Sequence, residues 1–244
     1  MNTRRAPFTT VLPKNTENAA MSAPTNSPRG RLITFEGGEG AGKSTQIRLL
    51  AGRLAQAGVE IAATREPGGS PRAERLREFL LSGRAAPLGA LGEAVLFAAA
   101  RIDHVDSLIA PALGRGAFVL CDRFMDSTRA YQGAMGKADP RMIALLEKVA
   151  LGDLKPDLTI VLDLPARDGL ARAAQRRGNG TRPDRFEREE LSFHEALRDA
   201  FLDIAASEAD RCCVVDALAP QEEVAQAIWR LVEARFLAPA VQAR

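Results

Sequence analysis

The chain has too few metal-binding and redox-active side chains to build a centre from them. Its two histidines, His104 and His194, are far apart, and its three cysteines, Cys121, Cys212 and Cys213, form no CxxC pair. That pattern argues against a metal cluster or a disulfide framework and fits a reducing, cytoplasmic setting. Each cysteine lies in a short apolar run, where it reads as a small strand residue filling the core. No apolar run approaches the ~20 residues that span a bilayer, and none follows Arg4 and Arg5 as a secretory signal requires. Net charge is nearly absent as well. The formal total is +2, and residues 1–30 carry Arg4, Arg5, Lys14 and Arg29 against Glu17. The body of the chain is therefore close to neutral, which argues against a nucleic-acid-binding surface. What remains, 46% hydrophobic and 26% charged over 244 residues, is an ordinary globular composition with enough chain for one full core.

Residues 1–29 are rich in Thr, Asn, Ser, Pro and Ala without periodicity and are expected to be disordered. From Arg31 onward, short apolar runs at 31–36, 59–64, 117–122, 158–163 and 211–216 alternate with helical stretches. This predicts an α/β fold, a five-stranded parallel sheet with helices on both faces. Three of the runs end in Asp122, Asp163 and Asp216, and ligands in such sheets bind outside the carboxyl ends of the strands. For Asp163 and Asp216 a helix N-cap is the plainer expectation.

Gly37, Gly38, Glu39, Gly40, Ala41, Gly42, Lys43 and Ser44 satisfy GxxxxGK[ST] between a strand and a helix patterned by Ile47, Leu50 and Leu54. The glycines let backbone N–H groups turn inward around a phosphate at a helix N-terminus. Lys43 would reach the β- and γ-phosphates and the Ser44 hydroxyl would hold Mg²⁺. The chain uses only five lysines against twenty-eight arginines, so a lysine at the one place that needs a compact ammonium is informative. No NKxD-type guanine-reading motif follows, which argues against a GTPase. Asp122, beside the loop, is a candidate for the metal as well.

On a predicted helix over 88–114, Leu91, Val95, Ile102, Val105 and Ile109 form one stripe, and Phe97, Arg101 and His104 form another. The second stripe can be a base-reading pair, a ring that stacks and a guanidinium that donates, or simply a packing face. Arg65-Glu66-Pro67-Gly68-Gly69 reads as a turn with a charged lip. Residues 172–188 gather arginines around Gly178, Asn179 and Gly180, as either a lid over phosphates or a solvated loop.

FEGGEGAGKST, TREPGGS, the LFAAAR helix, CDRFMDSTRAYQG and LGDLKPDLTIVLDLP together resemble thymidylate kinase in order and spacing, from about residue 31 to 236. The resemblance implies a P-loop nucleoside monophosphate kinase fold: one domain over 30–236 with its lid at 172–188, then a tail at 237–244. It implies ATP bound by the loop from Gly37 to Ser44 with Thr45, Mg²⁺ at Ser44 and Asp122, and dTMP as acceptor. Phe97 would stack on thymine, and Arg101 and Gln132 would hydrogen-bond its edge. Arg123 would grip the acceptor phosphate, with Ser127 and Thr128 on the same loop. Tyr131 would lie against the deoxyribose, and Glu66 and Arg77 would line the acceptor site. The family places its catalytic arginine either in the P-loop or in the lid. With Glu39 at the variable loop position, this chain resembles the lid type, leaving Arg176, Arg177 and Arg182 as candidates beside Lys43, Arg123 and Glu39. It departs from the family at Phe124, where Tyr or His is common, and in a lid some residues longer. The resemblance further implies a cytoplasmic homodimer, with neither nucleic acid nor membrane as a partner. Two other readings are an ATP-binding regulatory module and a kinase for a different monophosphate.

Overall fold

The computed structural model describes residues 10–11, 29–177 and 185–237. The expected disorder of 1–29 therefore falls mostly outside the described residues, as do Gly178, Asn179, Gly180, Arg182 and the tail beyond Leu237. Strands β2 (Leu32–Glu36), β3 (Ile61–Arg65), β4 (Phe118–Asp122), β5 (Leu158–Asp163) and β6 (Cys212–Asp216) pair in parallel in the order β3-β4-β2-β5-β6. The five-stranded parallel sheet predicted from the sequence is thus present. A two-residue strand, β1 (Thr10–Val11), is added antiparallel to the β3 edge, with Thr10 opposite Ala63.

Burial explains which runs are apolar throughout and which alternate. β2 lies at the centre, is covered on both faces and is buried at all five positions, so its apolar residues Leu32, Ile33 and Phe35 fall on both faces without a polar alternation. β3 alternates buried with partly exposed positions, and β6 at the edge is buried only at Cys212 and Val215. Ile33 and Phe35 point to helices α1 (Lys43–Gln56) and α9 (Gln221–Val232), packing on Leu50, Leu54, Ile228 and Val232. Leu32 points to the opposite face, against Ile109, Leu113 and Val119. Each fully buried Leu or Ile in these layers contributes about 1.5–3 kcal/mol.

The opposite face carries α2 (Pro71–Leu81), α3 (Gly89–His104) and α4 (Ala110–Gly114). It also carries α5 (Met125–Thr128), α6 (Pro140–Leu151), α7 (Ala166–Arg177) and α8 (Leu191–Ser207). Helix α6 starts where the sequence dictates: Pro140 fixes the first turn, and the Asp139 carboxylate accepts from Arg141 N at 2.8 Å. Between α3 and α4 the chain makes a wider, π-type turn at Val105–Ile109. The five-residue apolar stripe predicted at 3.6 periodicity is therefore split. Val105 and Ile109 are buried, whereas Leu91, Val95 and Ile102 look outward beside α6. Among the described residues, no single helix is long and apolar enough to cross a membrane.

Candidate active site

The carboxyl ends of β2 and β4 are neighbours at the centre of the sheet, where the chain switches direction. Here β2 runs directly into the glycine loop. Gly42 has φ +93 and Gly40 φ +68, left-handed values that favour glycine, and a Cβ on Gly40 would lie 2.0 Å from Gly169 O. Helix α1 then opens at Lys43. The Lys43 ammonium is buried and donates to Gly37 O at 3.0 Å and Gly38 O at 2.8 Å. Burial, reinforced by Arg123, pulls its pKa down to about 8 against nearby carboxylates. Ser44 Oγ donates to Asp122 Oδ2 at 2.7 Å. This places two hard oxygen donors side by side at the loop, a set that suits a phosphate-bound Mg²⁺. Among the described residues no cluster of three or more His, Cys, Asp or Glu side chains is gathered for a metal.

Arg123, directly after β4, adopts φ +67. A non-glycine residue there costs of order 1–3 kcal/mol and persists only where its surroundings enforce it. Arg123 N donates to Phe35 O at 2.9 Å. The buried Glu36 carboxylate takes Phe124 N at 2.7 Å, Ser127 N at 3.2 Å and Ser127 Oγ at 2.7 Å. The guanidinium is thereby aimed back at the loop, donating to Glu39 at 2.5 Å, Gly37 O at 3.2 Å and Ser127 Oγ at 3.2 Å. Tyr131 lies below it, its hydroxyl 3.3 Å from Glu39 Oε1. Burial alone would raise the Glu39 carboxyl, but Arg123 and Lys43 outweigh it and hold the pKa at about 2.

Glu36 behaves in the opposite way. Burial and the neighbouring Asp126 carry its pKa to about 7, against Arg123 and its own hydrogen bonds. Asp126 is itself buried and held by Arg211 through a two-pronged pair at 2.7 and 2.8 Å. A carboxyl raised in the folded state adds stability that is complete below the unfolded pKa near 4.5 and is lost as pH rises through about 7. Glu36→Gln keeps the shape without that loss. The variant's Tm relative to the unsubstituted chain should therefore climb by at least ~2 °C between about pH 5 and about pH 8. A difference that stays flat or falls over that range would show that Glu36 is ionised throughout.

The second pocket lies against α3. Arg101 is 2% exposed, so its guanidinium is held inside the protein and not in solvent. Its Nε donates to Glu66 at 2.7 Å, and its Nη2 donates to Phe124 O and Thr128 Oγ1, each at 3.1 Å. Of its five N–H groups, the two on Nη1 make no hydrogen bond among the described residues. Glu66 is buried rather than a surface lip: its other oxygen meets His104 Nδ1 at 3.1 Å, and His104 Nε2 meets Thr64 Oγ1 at 2.8 Å. His104 thus supports Glu66 and Arg101 from behind. Phe97 is half-buried. It shares with Arg101, Gln132, Arg123 and the glycine loop the wall of a single cavity of about 550 Å³.

That cavity also takes in Glu66, Arg77, Ser127, Thr128, Tyr131 and, from the lid flank, Arg176. Of the other lid candidates, Arg182 and the Arg177 side chain lie outside the described residues. Arg77 donates to Pro67 O at 2.7 Å. The N-cap expectation fails at both strand ends. Asp163 is paired with Arg198 at 2.5 and 2.9 Å, and Asp216 accepts Leu218 N at 2.8 Å in a turn. Sequence reasoning missed Glu36, Glu93, Asp126 and Arg211. Only Glu36 carried a readable signal, an acid closing an otherwise apolar strand just before the glycine loop.

A phosphate cradle at one end of the cavity, a ring and guanidinium pocket at the other and Arg123 between them define a P-loop kinase with a nucleotide-sized acceptor site. The family model described as "Thymidylate kinase" matches residues 35–228. This chain belongs to the thymidylate kinase family. It is 60% identical over 215 residues to the thymidylate kinase of Rhodopseudomonas palustris strain TIE-1, covering 88% of this chain and 93% of that protein. It is 57% identical over 208 residues to that of Bradyrhizobium sp. strain ORS 278, covering 85% and 92%. The crystal structure of thymidylate kinase from Ehrlichia chaffeensis superimposes with a TM-score of 0.67 at 31% identity, over 84% of this chain and all of that one.

Proposed function

We propose that this member of the family phosphorylates dTMP to dTDP with ATP, holds the donor's Mg²⁺ at Ser44 and Asp122, and completes its site with a lid arginine. The observation that carries this reading is the continuous cavity from the glycine loop to the Phe97–Arg101–Gln132 wall. A regulatory ATP-binding module has no use for the second pocket. The acceptor is already a phosphate whose second pKa is about 6, so at neutral pH it is largely a dianion and needs no general base. The remaining work is positioning and charge neutralisation. Lys43 holds the donor phosphates, Arg123 holds the acceptor phosphate, and Ser44 and Asp122 would hold Mg²⁺, which would supply further neutralisation of the donor's charge. Glu39 keeps Arg123 oriented, and Tyr131 closes the sugar side.

A coupled assay over a panel of nucleoside monophosphates tests this directly. Thymine presents a carbonyl at O4 where cytosine presents an amino group, and Arg101 can only donate. dCMP should therefore be used at least ~10²-fold less efficiently than dTMP. dUMP, which lacks one methyl group, should lose about 1 kcal/mol of apolar contact. Arg101→Ala alone would strand the buried Glu66 carboxylate at a cost of about 3–5 kcal/mol. The neutral pair Arg101→Ala/Glu66→Gln is the cleaner variant and should shrink the dTMP/dCMP ratio. Turnover of none of the panel would instead favour the regulatory module, and equal use of dCMP would overturn the base assignment.

The same reading includes a homodimer. Leu91, Val95 and Ile102 on α3 and Met142, Leu145 and Val149 on the adjoining α6 are all exposed, the last at 64%. A contiguous apolar face of this kind on two packed helices suits a second copy of the chain. Sedimentation should give a dimer that Val95→Glu/Leu145→Glu converts to monomer. A chain that sediments as monomer without substitution removes this element of the proposal.

A further inference from the structure

We infer that Glu93 is a specificity-determining positioning residue: it fixes which face of the Gln132 amide is offered to the base. This rests on the thymine-binding reading above. Glu93 lies on α3 one turn before Phe97 and two turns before Arg101, on the same helix face. Its neighbours on that helix, Ala94 and Ala98, are small and buried, and Glu93 itself is 3% exposed. A carboxylate in such a place needs partners. It has two: the Arg185 guanidinium at Oε1, and Gln132 Nε2, which donates to Oε2 at 3.3 Å.

A carboxylate paired with a guanidinium presents only acceptors to its other neighbours. Gln132 must therefore turn its amide nitrogen toward Glu93, because the flipped amide would set two oxygens against each other. Gln132 is 2% exposed and lines the cavity beside Phe97 and Arg101. Among the described residues, nothing donates to its Oε1. The amide carbonyl is the acceptor left for a ligand. Thymine and uracil carry a hydrogen at N3, which such a carbonyl accepts, whereas cytosine N3 is an acceptor and is repelled. A free glutamine could flip and donate to cytosine N3, and Glu93 removes that option. The site then excludes cytosine at two positions by two independent donor–acceptor mismatches, at position 4 by Arg101 and at N3 by Glu93 acting through Gln132.

Glu93→Gln tests this, since a neutral amide at 93 can accept or donate and frees Gln132 to turn. The dTMP/dCMP ratio of kcat/KM should fall by about tenfold, mostly through a lower KM for dCMP. The dTMP/dUMP ratio should not move, because both bases carry N3–H. A merely structural loss would lower all three substrates alike. In a Gln132→Leu background, Glu93→Gln should have no further effect on the dTMP/dCMP ratio. Should the single variant fail to fold, Glu93→Gln/Arg185→Gln removes both charges together and reports the same ratios. Intact discrimination in whichever variant folds overturns the inference while leaving the thymine reading in place. An unsubstituted enzyme that does not discriminate overturns both.

Discussion

Lys43→Ala is expected to lower kcat by at least ~10³-fold while the protein stays folded. The ammonium does little for the core, since its two hydrogen bonds go to Gly37 O and Gly38 O, backbone carbonyls of the glycine loop itself. Gly37 O keeps the Arg123 guanidinium as a donor once the side chain is removed. What no other group supplies is a compact positive charge at the floor of the cradle. Arg123 is committed to Glu39 and Ser127, and the loop itself contributes only backbone N–H groups. Lys43→Arg should be nearly as damaging, because a planar fork is bulkier than the ammonium that the loop wraps. The checks are kcat in a coupled ATP assay together with Tm. Near-normal turnover in Lys43→Ala would remove the phosphotransfer reading altogether. A large fall in Tm would instead give Lys43 a structural role.

What the sequence showed in advance and what it hid divide along contact distance. The glycine loop is legible because eight consecutive residues make the cradle, and their spacing alone carries the geometry. The strands are legible because burial on both faces leaves apolar residues without a polar alternation, as in β2 and β5. Arg123 could be suspected from its place after a strand, but its φ of +67 could not. That conformation is enforced by Glu36, 88 positions away from Phe124 along the chain. Glu66 read as part of a surface turn because its partners, Arg101 and His104, are 35 and 38 positions distant. The helical stripe misled for a different reason: a periodicity of 3.6 assumes an unbroken helix, and the wider turn at Val105–Ile109 resets the phase. Asp163 shows the same limit, since a strand-end acid looks like a helix cap until Arg198 is brought to it by the fold.

Arg176→Ala should lose up to ~10³-fold in kcat with little change in the KM for dTMP, by the measure of other arginines that cover a transferring phosphoryl group. The glycine loop is short of positive charge. The variable position of the glycine loop is Glu39, an acid already neutralised by Arg123, so Lys43 is the only basic side chain in the loop itself. As charge spreads over the transferring oxygens, a further cation has to come from outside the loop. Among the described residues, Arg176, near the end of α7, is the lid-flank arginine that lines the cavity, and its charge helps hold the Glu39 carboxyl low. An arginine acting only in the transition state leaves ground-state binding alone, so kcat and kcat/KM should fall together. Arg123→Ala should differ by raising KM for every monophosphate, because in the proposed mechanism it grips the acceptor phosphate before transfer. Parallel Arg177→Ala and Arg182→Ala variants complete the test. Loss of kcat in one of those two alone would move the role to that residue and keep the lid assignment. Unchanged kcat in all three would overturn it and leave Arg123 to cover both phosphates, in which case Arg123→Ala should depress kcat as well as raise KM.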